Sequence, residues 1–179
     1  MSDLPGLALL AGNPTLETAR LKLRLFAESD LDALAAMYAD AETMRYIGEG
    51  KTFNRGETWR AISSMLGHWL LRGYGMWAIE SKGTGEMIGR AGFIFPEGWP
   101  GFELGWMVAK QYWGRGYATE AAAAALEYAH NELDKPRVIS LIRRDNLPSI
   151  RVAEKIGARF DSEIDLLGAP ALVYATTRG

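Results

Sequence analysis

The pattern of hydrophobic and polar residues along the chain predicts seven strands. In "RLKLRLF", residues 20–26, Leu21, Leu23 and Leu25 alternate with Lys22 and Arg24, which is typical of a half-buried strand. Runs of aliphatic and aromatic residues between glycine or polar turns predict the other strands. They cover residues 74–81, 87–95, 102–108, 137–142, 158–167 and 171–177, with "KGTGE" at 82–86 as a hairpin turn.

Four further segments have the composition and the end signals of helices. Ser29, three residues before Asp32, predicts a capping box that opens a helix in "SDLDALAAMYAD". Asn54 and Glu57 predict the same arrangement at the start of a second helix. The third helix is "YATEAAAAALEYA", and the fourth is "LPSIRVAEKIG", which Gly157 ends. The second helix carries an apolar stripe made of Trp59, Ile62, Leu66 and Trp69.

The order of these elements predicts one α+β (mixed α/β) domain over residues 1–179. About seven strands form its mixed central sheet, and about four helices flank that sheet. A chain of 179 residues that is 48% hydrophobic suits one such core. Residues 1–14 lack a basic start and are interrupted by Pro and Gly, so we expect a flexible tail there and not a signal peptide.

Composition narrows the classes of function. The chain has no cysteine, which excludes disulfides, thiolate metal sites and a cysteine nucleophile. With no long apolar segment, it fits a protein of the cytoplasm. The net charge of −2 gives no general attraction to nucleic acid or to a membrane. The two histidines, His68 and His130, lack the spacing of metal ligands, so we expect no metal site.

The stretch "AKQYWGRGYATEAAAAALEYA", residues 109–129, joins a predicted strand to the alanine-rich helix through two glycines. The start of a helix presents free N–H groups, and glycine lets a ligand approach the backbone, so the junction suits a phosphate group. A tight turn followed by a closely packed helix explains the same residues without any ligand. The sequence lacks Gly-Lys-Ser/Thr and G-x-G-x-x-G, so it matches neither of the two better-known phosphate loops.

Three motifs in order resemble the GNAT family of N-acetyltransferases. "WGRGYATEA" is similar to the family's pyrophosphate loop, Gln/Arg-x-x-Gly-x-Gly/Ala, with Gly116 and Ala118 at the small positions. At the first position of this pattern the chain has Trp113 in place of Gln or Arg, and Arg115, two residues later, supplies a positive charge nearby. "RDNLPSIRVAEKIGARF" is similar to the family's Asn-x-x-Ser helix, and "TARLKLRLF" resembles the first strand of the subgroup of ribosomal-protein N-terminal acetyltransferases. The match extends from about residue 18 to 177.

The resemblance implies a GNAT-like fold and a site for acetyl-CoA. It implies that the strand splays near Met107 and Val108, leaving backbone N–H groups for the acyl carbonyl and the pantetheine arm. The residues expected to contact the cofactor are therefore Met107, Val108, Trp113, Gly114, Arg115, Gly116, Tyr117, Ala118, Thr119, Asn146 and Ser149.

Glu103 is the candidate general base. A protonated amine cannot attack a thioester, so a group must accept its proton. Glu103 lies among the apolar residues of "GFELGWMV", on the strand that leads to the loop, and an acidic residue near this place is a base in some members of the family. An ordinary solvated carboxylate on a strand face is the structural alternative. The adjacent loop "PEGWPG", residues 96–101, is the candidate contact for the acceptor.

Asn146 and Ser149 form the second candidate pair. Asn146 caps the last predicted helix on a purely structural interpretation, and a contact with the CoA arm is compatible with that role. Many family members have a tyrosine proton donor seven residues after this Asn, where this chain has Ala153. Ser149 is therefore the candidate replacement for the acid.

These observations predict an N-acetyltransferase that moves an acetyl group from acetyl-CoA to a primary amine by direct attack. The acceptor, a protein N-terminus or a small amine, is not identified by the sequence, and a homodimer is left open. A degenerate regulatory module that only binds CoA is the first alternative, since the tyrosine is missing and Trp113 is unusual. A nucleotide or nucleic-acid binder is the second, and the even charge balance argues against it.

Overall fold

An eight-stranded mixed sheet forms the centre of the computed structural model, which describes Gly12 and residues 14–178. The strand order is β1-β2-β3-β4-β5-β6-β8-β7, and every neighbouring pair is antiparallel except β5 and β6. The strands are β1 Leu16–Glu17, β2 Leu21–Arg24, β3 Met76–Ser81, β4 Met87–Ile94, β5 Glu103–Val108, β6 Arg137–Ile142, β7 Arg159–Leu166 and β8 Ala169–Thr177.

Helices cover both faces of this sheet. They are α1 Leu31–Ala39, α2 Ala41–Met44, α3 Arg55–Arg72, α4 Tyr117–Asn131 and α5 Leu147–Lys155. Leu34 of α1 and Ile62 of α3 share one core cluster with Met107 of β5. The small residues of α4 let it pack closely on the opposite face, against β2, β4 and β5, and Ala121 and Ala125 are fully buried there. Within the described part of the chain, no helix is long and apolar enough to cross a membrane.

The sequence predicted this framework closely. The seven predicted strands are β2 to β8, and the predicted hairpin turn between β3 and β4 is present with Gly85 at φ +72°. The capping box at Asn54 is confirmed: its side chain accepts a bond from the N–H of Glu57, whose carboxylate accepts one from Asn54. The two-residue β1 and the short α2 were not predicted.

Two local predictions are wrong. Ser29 does not cap α1, because the carboxylate of Asp30 accepts the bond from the N–H of Ala27, within a 3-10 turn that precedes the helix. Trp59 is 52% exposed and does not join the apolar stripe of α3. The predicted tail, residues 1–14, lies outside the described residues except for Gly12 and Pro14. The Pro14 carbonyl accepts a 2.8 Å hydrogen bond from the indole of Trp77.

Candidate active site

The sheet is least continuous between β5 and β6, and we call the gap beyond their register pair the cleft. These parallel strands share a single register pair, Glu103 with Ile139, and then diverge. One residue further along both strands, the hydroxyl of Ser140 donates a 2.7 Å hydrogen bond to the carbonyl of Leu104. This side-chain bond stands where a backbone hydrogen bond would join the two strands. The C-terminal ends of parallel strands lie at the same edge of a sheet, so α4 and α5, which follow them, begin at the mouth of the cleft.

The register of β4 and β5 decides which backbone groups of β5 face the cleft. Ala109 donates to the carbonyl of Ile88, and the pairs alternate along an antiparallel ladder. Met107 therefore directs its N–H toward β4, whereas Trp106 and Val108 direct theirs toward the cleft. This corrects the expected contact of Met107. The N–H of Trp106 was not among the expected contacts, because the spacing of motifs does not reveal which N–H groups of a strand face which neighbour.

Glu103 lies at the vertex of the cleft, on the sheet face covered by α1 and α3. It is 8% exposed, and its Oε2 accepts a 2.6 Å hydrogen bond from the indole Nε1 of Trp99. Burial raises the pKa of Glu103 to about 7, although the bond from Trp99, the backbone of Leu141 and the charge of Arg90 act in the opposite direction. A buried carboxyl with such a pKa is suited to exchanging a proton near neutral pH.

The glycine loop lies between β5 and α4, at the mouth of the cleft. Gly114 and Gly116 have φ of +73° and +79°, a left-handed conformation that glycine adopts without strain. Gly116 is the N-cap of α4, so the N–H groups of Tyr117, Ala118 and Thr119 lie in its first turn, where helices leave such groups unpaired. The loop therefore has the backbone of an anion site.

Trp113 fastens this loop to the end of β5. Its indole Nε1 donates a 2.6 Å hydrogen bond to the carbonyl of Val108, while the side chain is 45% exposed. Trp113 stands where the family pattern has a basic or amide residue, and in this chain its side chain binds the backbone of β5. Arg115 is exposed, with its guanidinium 5.7 Å from the ring of Tyr112, so a positive charge does lie at the loop.

A second arginine, Arg20, reaches the loop from the residue before β2, and no sequence motif signals this contact. Arg20 donates a 2.9 Å hydrogen bond to the carbonyl of Arg115 and forms an ion pair with Glu120 of α4. Burial would raise the pKa of Glu120, but hydrogen bonds from Thr18 and from Arg20 lower it overall. This network holds the first turn of α4 against the start of the sheet. The contact joins residues about 100 positions apart, which no local motif signals.

Asn146 and Ser149 begin α5 at the same edge of the sheet. The side-chain oxygen of Asn146 accepts a 3.3 Å hydrogen bond from the N–H of Ser149, which fits the expected cap. Ser149 is half-buried. Ala153 is fully buried beside Ile142 of β6, in a cluster against which Trp106 also packs. The position where many family members have a tyrosine therefore lies in the protein interior in this chain.

The histidines have structural partners. Nε2 of His68 accepts a bond from the N–H of Phe95, and its Nδ1 lies 2.7 Å from the carbonyl of Tyr74, which fixes one neutral tautomer. Nδ1 of His130 lies 2.8 Å from the carbonyl of Lys135. Across the residues that the structure describes, no group of three His, Asp or Glu side chains could hold a metal ion.

Solved acetyltransferases share this fold. An acetyltransferase from Agrobacterium tumefaciens superposes with a TM-score of 0.83 at 34% identity, covering 92% of this chain and 95% of that one. RimL, a ribosomal L7/L12 alpha-N-protein acetyltransferase solved with coenzyme A, gives a TM-score of 0.77 over 92% and 98% of the two chains. At 20% identity, RimL supports the fold alone.

Sequence comparison then identifies the family. A model described as an acetyltransferase (GNAT) domain matches residues 20–159. Two Bacillus subtilis proteins are similar: the uncharacterized protein YkkB, 35% identical over 89% of this chain and 93% of its own, and the uncharacterized N-acetyltransferase YnaD, 32% identical over 79% and 81%. The chain belongs to the GNAT acetyltransferase family, and it is an acetyltransferase of the kind that characteristically uses acetyl-CoA.

Proposed function

We propose that this acetyltransferase moves an acetyl group from acetyl-CoA to a primary amine by direct attack, without an acyl-enzyme. The observation that carries the proposal is the arrangement of the cleft. A buried carboxyl with a pKa of about 7 lies at the vertex, and a glycine loop at a helix start lies at the mouth. An elongated donor with phosphates at one end and a thioester at the other fits such a cleft.

The loop binds the phosphates of the donor. The N–H groups of Tyr117, Ala118 and Thr119 and the positive end of α4 face them, and Gly114 and Gly116 keep side chains out of the way. Arg115 adds an exposed positive charge. Asn146 and Ser149 contact the arm of CoA at the start of α5.

The backbone of β5 polarises the acyl carbonyl. The N–H groups of Trp106 and Val108 face the cleft, where β6 has diverged and offers no ladder partner. Donors that are already fixed in place stabilise the negative charge that develops on the carbonyl oxygen, and they need no rearrangement during the reaction.

Glu103 accepts the proton of the attacking amine, directly or through a water. The nitrogen then forms its bond to the acyl carbon as the bond from carbon to sulfur breaks. The CoA thiolate leaves and takes a proton from the hydroxyl of Ser149, which at the same time takes up the remaining excess proton of the nitrogen, so that the products are the amide and the free thiol. A free thiol has a pKa of about 8.5, so this last assistance is modest at neutral pH.

The test is an acetyl-CoA consumption assay across a panel of primary amines that includes peptides, small diamines and amino acids. We expect turnover with at least one amine, and loss of that turnover in Glu103→Gln with CoA binding intact. CoA binding without turnover on any amine would instead support the alternative of a regulatory module.

A further inference from the structure

Arg90 places a positive charge among mostly apolar neighbours. It lies in β4, otherwise a run of apolar residues and glycines, and is half-buried. Its Nη1 lies 3.6 Å from the sulfur of Met76, its guanidinium lies 5.9 Å from the ring centre of Tyr38, and its Nε is buried without any hydrogen-bond partner. Among the described residues, no carboxylate forms an ion pair with it.

Such a charge is costly unless a ligand compensates it. A buried ion that lacks a counter-ion loses its hydration without replacement. Arg24 is a half-buried arginine on the same sheet face, and its charge is compensated by two carboxylates. Its guanidinium binds Asp30 at 2.8 Å and Glu80 at 2.6 Å. The interior around Arg90 offers a thioether and an aromatic ring instead.

Arg90 and the proposed base face the same space. Arg90 pairs with Met107 in the ladder, and Glu103 lies four residues before Met107 on the same face, roughly 13 Å along the strand. Between these levels, Gly92 pairs with Gly105, so no β-carbon rises from β4 or β5 there. The flexible side chain of Met76 lies over Gly105, and Arg90 is close enough to act on the carboxyl of Glu103.

We propose that Arg90 binds a carboxylate of the acceptor, so that the enzyme acetylates a small primary amine that carries a carboxylate, as an amino acid does. The inference rests on the proposed function, since it places the amine at Glu103. A guanidinium binds a carboxylate through two parallel hydrogen bonds, which orients the acceptor as well as attracting it. Gly92 and Gly105 present no β-carbon between the two groups, and the flexible side chain of Met76 moves aside for the short carbon chain of the acceptor.

The experiment compares acceptors that differ only in the carboxylate. For each of several amino acids, we would measure kcat and KM for the acid, for its amide and for the amine without the carboxyl group. The enzymes are wild type, Arg90→Met, Arg90→Lys and the exposed control Arg60→Gln. Thermal unfolding and the Kd for CoA check the fold and the donor site.

We expect wild type and Arg60→Gln to favour the acid by about 10- to 100-fold in kcat/KM, the value of a charge-assisted hydrogen bond. In Arg90→Met that preference disappears because the KM of the acid rises, and Arg90→Lys keeps part of it. The loss of the Arg90 charge also raises the pKa of Glu103, and that effect slows the acid, the amide and the amine alike. Equal use of acid and amide by wild type would overturn the inference. An equal loss of kcat/KM in Arg90→Met on all acceptors would also overturn it, because Arg90 would then support Glu103 or the fold. A preference for peptides irrespective of their charge would overturn it as well.

Failure of the proposed function is distinguishable from failure of this inference. If wild type turns over no amine, calorimetry of the CoA-saturated protein with the same acids and amides still tests Arg90. Binding of acids that Arg90→Met abolishes supports the carboxylate site, and absence of such binding overturns it.

Discussion

The indole Nε1 of Trp99 lies 2.6 Å from Oε2 of Glu103, so a side chain of the loop before β5 donates a hydrogen bond to the carboxyl at the cleft vertex. This bond favours the ionised carboxylate, whereas burial favours the protonated acid, and burial dominates. The sequence placed "PEGWPG" near the base as an acceptor contact. The structure gives Trp99 a direct bond to the proposed base.

Glu103→Gln should lower kcat by about 100- to 10,000-fold, the usual cost of losing a general base. Wild-type turnover should rise with pH through about 7, because the carboxyl must be ionised to accept a proton. The variant should show no such rise. Steady-state rates between pH 5 and 9, with the CoA affinity measured alongside, check both points; identical profiles for the two enzymes would place the base elsewhere.

Trp99→Phe should shift the midpoint of the pH–rate profile upward. The variant loses a donor that stabilises the ionised carboxylate, so the pKa of Glu103 rises further above its ordinary value. Trp59→Phe is the matched control, since Trp59 is 52% exposed on α3. A midpoint that stays in place in Trp99→Phe would mean that the indole does not tune the carboxyl.

The stability of the protein should also respond to Glu103. Its pKa is about 7 in the folded state against an ordinary value of 4.5, so the folded state binds the proton more tightly. The resulting stabilisation is complete below about pH 4.5 and is lost as the pH rises through 7. At about 1.4 kcal/mol per pKa unit, the loss is roughly 3 kcal/mol.

Denaturant unfolding of wild type and Glu103→Gln at pH 4 and pH 8 measures this loss. The free energy of unfolding of wild type, relative to the variant, should fall by that amount between the two pH values. Glu97→Gln, which alters an exposed carboxyl in the preceding loop, is the control. A constant difference between wild type and Glu103→Gln would contradict the raised pKa.

Gly116→Asp should abolish CoA binding, and Gly116→Asn should retain most of it. Both side chains meet the same left-handed backbone at φ +79°, which Asn and Asp tolerate better than other residues. A β-carbon there would lie 3.5 Å from Nη2 of Arg20, an ordinary contact. The two variants therefore differ mainly in negative charge beside the phosphates, and calorimetry with CoA compares them. Equal affinities would argue against the phosphate site.

Ser149→Ala should slow acetyl transfer by roughly tenfold or more, the low end of acid catalysis, with little change in stability. Ala153→Tyr should not restore the rate. Ala153 is fully buried, and overpacking such a site costs about 1–3 kcal/mol or more. Kinetics and thermal unfolding of the single and double variants check this, and a Ser149→Ala enzyme as fast as wild type would show that the thiolate leaves unassisted.

The parts of the site that local sequence encodes were predictable. Asn54 and Asn146 cap helices because a short side chain three residues from a free N–H reaches it in almost any context. The two loop glycines signal a backbone that other residues strain to adopt. Alternation along β2 gave its buried face, with Leu21 and Leu23 fully enclosed.

Contacts between distant segments could not be predicted in this way. Ser29 lost the capping role because Asp30, its neighbour, is fixed by Arg24 of β2 and binds Ala27 itself. The half-buried charge of Arg90 and the hydrogen bond from Arg20 to the loop depend on how strands are ordered in the sheet. Which N–H groups of β5 face the cleft depends on the register with β4, which composition does not encode.

The sheet consists of two parts that are joined at few points. Strands β1 to β5 form one part, and β6, β7 and β8 form the other. The backbones of the two parts share one register pair, and the hydrogen bond from Ser140 to Leu104 adds a second connection. The proposed donor would bridge these two parts where hydrogen bonds between strands are missing. We therefore expect binding of the donor to stiffen the sheet as well as to begin the reaction.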